Sequence, residues 1–100
     1  MTAISPYLDQ IINVCRQNKV KELYAFGSVL TPSFNFESDI DLLVDFQKMT
    51  PAVYADSYFK LKFALEEILG RQINLLEIRS LKNPFLSQEI NNKKKLLYVA

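Results

Sequence analysis

A chain of 100 residues, 49 % hydrophobic and 23 % charged, has the composition of one globular domain spanning 1–100 rather than of a disordered segment. A net charge of +1 does not favour nucleic acid, and no apolar run approaches the roughly 18 residues needed to span a membrane. With no histidine and one cysteine, zinc sites and histidine-dependent triads are excluded. No signal peptide is recognisable, and a single cysteine that cannot form an internal disulfide is typical of the reducing cytoplasm, where we expect the protein.

The first predicted element is a helix over residues 6–17. Ser5 and Pro6 are typical of an N-cap followed by the first helical residue. Apolar residues recur at helical spacing and are expected to face a core: Leu8, Ile11, Ile12 and Cys15. Cys15 lies on that stripe with no base nearby in the sequence, so we interpret it as a core residue and not as a nucleophile.

A predicted strand and a small-residue turn come next. Residues 20–26 become nearly continuously apolar, which is typical of a strand covered on both faces. Gly27 and Ser28 follow directly; glycine lets the backbone approach a ligand, and the serine hydroxyl with neighbouring N–H groups can hold a phosphate oxygen. Taken alone, this pair is also consistent with a plain turn. The aromatic residues of the following loop, Phe34 and Phe36, are interpreted as packing at the edge of the core, with packing over a bound base as the less favoured alternative.

Two aspartates open the second predicted strand, residues 39–46. In a strand, Asp39 and Asp41 would point to the same face with Cα atoms about 7 Å apart. Such carboxylates can share one divalent ion or bridge two ions about 3.5–4 Å apart. The alternative is solvated charge at a strand end, but aspartate is disfavoured in strands, so two on one face indicate a partner such as a cation. Asp45 is interpreted as solvated charge.

A long amphipathic helix is predicted over residues 52–69, preceded by Thr50 and Pro51 as cap and first residue and ended by Gly70. Its aromatic residues are interpreted as packing residues: Tyr54, Tyr58, Phe59 and Phe63. Three shorter elements complete the chain: a strand over 72–78, a helix over 84–94 that begins at Asn83-Pro84, and an edge strand over 96–99.

The turn and the aspartates together resemble a known signature. Gly27-Ser28, ten further residues and Asp39-x-Asp41 resemble the motif of the polymerase-beta-like nucleotidyltransferase superfamily, with Ser38 directly before the first aspartate. The order of elements and the chain length resemble its minimal nucleotidyltransferase subgroup, which includes antitoxin-type domains. The resemblance implies an α+β, two-layer fold with a small mixed β-sheet of three to four strands and helices packed on one face.

The resemblance also implies a chemistry. Gly27 and Ser28 would bind the triphosphate of a nucleotide, and Asp39 and Asp41 would be catalytic residues that hold Mg²⁺. The implied reaction transfers a nucleoside monophosphate, AMP from MgATP, to a hydroxyl on a partner protein in an antitoxin-like role. The implied partner is a helical HEPN-type toxin protein; a homo-oligomer is left open.

Two departures from the family pattern set up an alternative. A third carboxylate is expected on the next strand, but Asn74 stands there and cannot carry the charge or accept a proton. Glu77 would face the opposite side of a regular strand. An arginine is expected shortly after Gly-Ser, where this chain has Val29-Leu30-Thr31-Pro32. We favour an active nucleotidyltransferase; the alternative is a catalytically weak or inactive antitoxin that acts by binding a HEPN-type toxin.

Overall fold

The computed structural model describes residues 2–100 as three α-helices, four β-strands and short 3₁₀ turns. The helices are α1 (Leu8–Gln17), α2 (Pro51–Leu69) and α3 (Pro84–Lys93). The strands are β1 (Val20–Phe26), β2 (Ile40–Phe46), β3 (Ile73–Glu77) and β4 (Lys95–Val99). The element order and types match the predictions, with ends that differ by one or two residues.

The four strands form one mixed sheet in the order β3-β2-β1-β4. β1 pairs antiparallel with β2 and with β4, whereas β2 and β3 run parallel, joined by the crossover through α2. The central position of β1 and β2 explains their apolar sequences, because central strands are covered by neighbours and helices. The predicted mixed sheet of three to four strands is confirmed.

Alternation along β2 separates the core from the opposite face. Its core-facing residues are fully or almost fully buried and join the main hydrophobic cluster with α1 and α2: Ile40, Leu42, Val44 and Phe46. Asp41, Leu43 and Asp45 occupy the alternate positions; Leu43 is fully buried but outside that cluster, whereas the two aspartates are half-buried. Ile90 of α3 is also buried, but it lies outside that cluster. One strand therefore anchors the core and presents carboxylates on its other face.

The starts of the helices show where the capping predictions hold. Asn83 caps α3, since its Oδ1 accepts hydrogen bonds from the backbone N–H groups of Phe85 at 3.0 Å and Leu86 at 3.2 Å. The cap predicted at Ser5 is wrong, because Ser5 lies inside a 3₁₀ turn and α1 begins at Leu8. Gly70 ends α2 with φ +63°, as predicted for a left-handed C-terminal residue.

Several aromatic residues are more exposed than predicted. Phe36 is 96 % exposed, so the prediction that it packs at the edge of the core is wrong, whereas Phe34 does pack against the core. Phe59 and Phe63 stack on each other at a centroid distance of 6.0 Å but lie on the outer face of α2. Their positions in the sequence could not distinguish a packed ring from an exposed one, because α2 is apolar on more than one face. Within residues 2–100, no helix combines the length and apolarity needed to cross a membrane.

Candidate active site

The turn that follows β1, called here the Gly-Ser turn (Gly27–Leu30), lies beside the start of β2. The antiparallel register pairs Phe26 with Asp41, so Gly27 comes directly after that pair. Gly27 has φ +75°, a conformation that glycine adopts without the steric cost of a β-carbon. A β-carbon built on Gly27 would lie 2.5 Å from Oδ2 of Asp41, closer than real contacts allow. The glycine is therefore required by both its backbone conformation and the carboxylate beside it.

Asp41 has an amide partner on its other side. The parallel register sets Asp41 opposite Asn74 on β3, and the Asn74 side chain donates from Nδ2 to Asp41 Oδ1 over 2.9 Å. Asp41 is thus flanked by Gly27 on the β1 side and by Asn74 on the β3 side. Since the amide carries no charge, the negative charge of Asp41 is oriented but not neutralised by this neighbour.

Asp39 directly precedes β2 and is exposed. Both of its neighbours in the chain are bound to the loop between α2 and β3. The Ser38 carbonyl accepts a hydrogen bond from Arg71 Nη1 at 3.0 Å, and the Ile40 N–H donates to the Gln72 carbonyl at 3.1 Å. The backbone at Asp39 is therefore held on both sides.

Arg71 is a positioning residue that sequence reasoning missed. Its Nη1 also donates to the Asn35 carbonyl at 2.7 Å, and its guanidinium lies 4.4 Å from the centroid of the Phe34 ring. These contacts fix the loop that leads into Asp39. A single arginine after a helix end gives no sequence signal for such a role, because the contacts join residues more than 30 positions apart.

The carboxylates at the far end of β2 and β3 lie outside this site. Asp45 is not solvated as predicted: its Oδ1 lies 3.4 Å from Arg79 Nε, and its side chain is 17 % exposed. Glu77 accepts a hydrogen bond from the Tyr54 hydroxyl of α2, which confirms that it faces away from Asn74. Burial and Glu77 raise the pKa of Tyr54. Glu77 therefore does not replace the missing third carboxylate.

Cys15 is confirmed as a core residue. Its side chain is fully buried in the main cluster, and burial raises the pKa of its thiol to about 12. A thiol that stays protonated at neutral pH and has no access to solvent cannot serve as a nucleophile.

The donor set at this edge can be tested against a hard divalent ion. Asp39 and Asp41 supply carboxylate oxygens, and Mg²⁺ in proteins is usually held by one or two carboxylates together with substrate phosphates and water. Residues 2–100 contain no cluster of three or more histidine, cysteine, aspartate or glutamate side chains placed to hold a metal. The residues thus fit a magnesium ion that binds together with a nucleotide, and do not fit an all-protein metal cage.

The sequence of the chain matches the family model of the polymerase beta nucleotidyltransferases over residues 9–100. The chain belongs to this nucleotidyltransferase family. Its fold agrees with that of a solved structure described provisionally as a minimal nucleotidyltransferase. That structure has a TM-score of 0.74 and 26 % sequence identity, covering 90 % of this chain and 88 % of the other.

Two further nucleotidyltransferase relatives carry information about function. A Methanocaldococcus jannaschii protein, named provisionally as a protein adenylyltransferase, is 35 % identical over 81 residues, 81 % of this chain and 78 % of that protein. A crystal structure of a toxin-antitoxin with AMP-PNP contains a chain with a TM-score of 0.71 and 25 % identity, covering 93 % of this chain and 73 % of that one. Adenylyl transfer and the bound AMP-PNP are thus described for the relative and for the solved structure, respectively.

Proposed function

We propose that this nucleotidyltransferase transfers AMP from MgATP to a hydroxyl group of a partner protein, in the manner of an adenylylating antitoxin. The observation that carries the proposal is the contact between the Gly-Ser turn and β2, where a β-carbon on Gly27 would lie 2.5 Å from the carboxylate of Asp41. A nucleotide phosphate needs backbone donors and a carboxylate-held cation close together, and this contact brings the two sources side by side.

The residues have separate tasks in this proposal. Gly27 and Ser28 offer backbone N–H groups and a hydroxyl to the phosphates, and Asp39 and Asp41 hold Mg²⁺. The magnesium ions would supply charge neutralisation of the phosphates and orientation of the acceptor hydroxyl. Arg71 keeps the backbone at Asp39 in place through the Ser38 carbonyl. Positioning and electrostatics account for most of the rate in such a displacement.

The reaction balances without a base from the chain. The acceptor oxygen forms a bond to the α-phosphorus while the bond from that phosphorus to the β-bridging oxygen breaks, and pyrophosphate leaves. The hydroxyl proton passes to solvent or to the partner, because the Asn74 amide donates to Asp41 and has no basic site. The acceptor would approach from the β3 side of Asp41, since the Gly-Ser turn occupies the β1 side.

The comparisons support this proposal at the level of the reaction and the partner class. The Methanocaldococcus jannaschii relative is named for protein adenylyl transfer, and the toxin-antitoxin structure holds an ATP analogue. The cation, the individual site residues, the span 1–100 as one domain, the HEPN-type identity of the partner and the cytoplasmic location stay predictions from the sequence and the resemblance.

The deciding experiment mixes the purified chain with the protein encoded beside its gene and MgATP, and follows the intact mass of the partner. We expect the partner to gain an adenylyl group. Asp41→Asn should slow the transfer at least about 100-fold, because several kcal/mol of charge stabilisation are lost. Asp45→Asn is the matched control, since Asp45 lies on the same strand but pairs with Arg79, and it should transfer within about threefold of wild type.

A second candidate function is neutralisation of the partner by binding alone. The observation that favours it is Asn74, an amide where a third carboxylate would otherwise stand beside Asp41. Under this alternative the chain co-purifies with its partner and abolishes the partner's activity without any adenylyl mass, and Asp41→Asn neutralises as well as wild type. Transfer that depends on Asp41 would exclude it.

A further inference from the structure

The outer face of α2 carries an apolar stripe that residues 2–100 leave open to solvent. Phe59 and Phe63 lie one turn apart and are 52 % and 59 % exposed. Two exposed alanines continue the stripe towards the start of the helix, Ala52 and Ala55. At about 3.6 residues per turn these four positions share one side of the helix, opposite the buried Leu61. Such adjacent exposed rings are typical of a surface that another protein covers.

The two rings of this α2 stripe are held in place before any other molecule arrives. Phe59 stacks on Phe63, and it also meets the ring of Tyr58 edge-on at a centroid distance of 5.2 Å. Tyr58 is in turn tied to β3, because its hydroxyl donates to the Leu75 carbonyl over 2.7 Å. Rings arranged in this way lose little side-chain freedom on association, as the anchor residues of an interface require.

The α2 stripe is complementary to a second copy of itself turned end for end. Phe63 lies as far after Phe59 as Ala55 lies before it. If two α2 helices lie antiparallel with their centre beside Phe59, Phe63 of each copy therefore reaches the small side chains of Ala55 and Ala52 in the other. Large side chains of one helix then fill the space left by small ones of the other. A parallel pair would set rings against rings and alanines against alanines.

The charges beside the stripe favour the same arrangement. Asp56 and Lys60 lie on one side of it, with Oδ2 and Nζ 3.0 Å apart and both side chains largely exposed. The twofold axis of an antiparallel pair keeps this side on the same side in both copies, so Asp56 of each copy comes opposite Lys60 of the other. A parallel pair would bring like charges together. The exposed pair within one copy contributes little, so both groups are available to the second copy.

We propose that two copies of this chain associate through the α2 stripe, with antiparallel α2 helices, Phe59 and Phe63 at the centre and two Asp56–Lys60 pairs at the rim. An aromatic side chain covers about 150–250 Å² when fully buried, so the exposed halves of the two rings supply roughly 200 Å² per copy. A standard interface covers about 800 Å² per partner, so this dimer is weak, with a dissociation constant on the order of 100 µM.

The proposed dimer leaves both active sites open. α2 packs on the core side of the sheet, where Leu42 and Val44 of β2 also lie, whereas Asp41 alternates to the opposite side. Two copies joined by the outer faces of their α2 helices therefore direct their Asp41 side chains away from each other. A dimer of this shape can serve two acceptors at once. The proposal goes beyond the proposed function and does not depend on it, since it rests on α2 alone.

Sedimentation velocity of the full chain between about 5 and 500 µM measures the association, and wild type should shift from monomer towards dimer over this range. Phe59→Ser/Phe63→Ser should associate at least about tenfold more weakly, because both anchor rings are lost. The matched control, Phe36→Ser/Phe85→Ser, removes two exposed rings outside α2 and should associate within about twofold of wild type. Unfolding temperatures verify that every variant is folded.

A mixing experiment tests the antiparallel geometry. Asp56→Lys gives each copy two lysines at the rim and Lys60→Asp gives each copy two aspartates, so each variant alone should associate about tenfold more weakly than wild type. Mixed in equal amounts, they should form a heterodimer at least as readily as wild type dimerises, because lysines of one copy face aspartates of the other. About 0.5 M salt should weaken this recovery. A loss of structure cannot produce recovery on mixing.

Four results would overturn the proposal. Wild type that stays monomeric at the highest concentration excludes the dimer, and a Phe59→Ser/Phe63→Ser variant that dimerises like wild type excludes this face. Charge variants that do not recover on mixing exclude the antiparallel arrangement. If wild type is monomeric and the serine variant loses binding to the protein encoded beside the gene, the stripe serves that partner. Adenylyl transfer enters none of these measurements, so the dimer and the proposed function can fail separately.

Discussion

The two ends of β2 carry acidic residues in opposite circumstances. At the end of the strand, Asp45 pairs with Arg79, and the neighbouring Glu77 of β3 accepts from Tyr54. At the start, Asp41 has a neutral amide and a glycine beside it, and Asp39 is exposed.

The difference separates structural from functional carboxylates on one strand. A carboxylate beside a guanidinium has its charge balanced by the fold and needs no ligand. A carboxylate oriented by an uncharged amide keeps its charge available for a cation. The start of β2 is therefore the end at which binding is expected.

The largest expected losses of stability and of transfer are those of Gly27→Ala, and Gly70→Ala, at the other glycine with positive φ, is its control. Gly27→Ala should destabilise the fold by about 1–3 kcal/mol and reduce transfer about 100-fold, because the new methyl group meets Asp41 Oδ2 at 2.5 Å. Gly70→Ala has the same backbone strain at φ +63°, but nothing lies within 4 Å of its β-carbon. It should cost about 1 kcal/mol and leave transfer within about twofold.

Chemical denaturation measures the stability of both glycine variants, and the adenylyl-transfer assay measures their activity. Equal losses of transfer would mean that Gly27 acts through stability alone. That result would remove the contact between the Gly-Ser turn and Asp41 from the mechanism.

A smaller effect is expected when the amide beside Asp41 is replaced by a carboxylate. Asn74→Asp should destabilise the metal-free protein by about 0.5–1 kcal/mol, because two like charges then face each other, and Mg²⁺ should restore the loss. The Mg²⁺ affinity measured with AMP-PNP should rise about tenfold, with faster transfer.

Asn74→Ala is the control for that change, since it removes the hydrogen bond to Asp41 without adding charge. It should show no gain in Mg²⁺ affinity. If Asn74→Asp responds to Mg²⁺ as wild type does, the side chain at position 74 does not reach the cation and the interpretation of this end of β2 changes.

The smallest effect on transfer is expected from Tyr54→Phe, at the end of β2 where Asp45 and Glu77 have partners within the fold. Loss of the hydrogen bond to Glu77 should cost about 1 kcal/mol at pH 7 and leave transfer unchanged. The raised pKa means that folded Tyr54 keeps its proton above pH ~10, where the unfolded phenol ionises. Its stabilisation is therefore complete below pH ~10 and is lost as the pH rises further.

Urea denaturation of wild type and Tyr54→Phe between pH 7 and 11 measures this difference. The gap between the two proteins should narrow above pH ~10. A gap that stays constant, or a loss of transfer in Tyr54→Phe, would show that the far end is not purely structural.

The elements of the fold were largely predictable from local patterns. Helical spacing, the Asn83 cap and Gly70 set the limits of the helices to within a few residues, because these signals act over one or two turns of chain. The motif residues Gly27, Asp39 and Asp41 were likewise visible in their order and spacing. The exposure of Phe36 and the pairing of Asp45 were predicted wrongly, since each depends on distant neighbours.

The sequence by itself determined the order of strands and helices and the pattern that resembles a nucleotidyltransferase, because both depend on residues that are close together along the chain. The tertiary structure decided which carboxylates have a charged partner. Asp45 contacts the Arg79 guanidinium, whereas Asp41 accepts a hydrogen bond from the neutral amide of Asn74. Arg71 contacts the backbone beside Asp39. These contacts join residues that are far apart in the chain, and their geometry is set by the sheet register and the packing of the helices, which local sequence patterns do not specify.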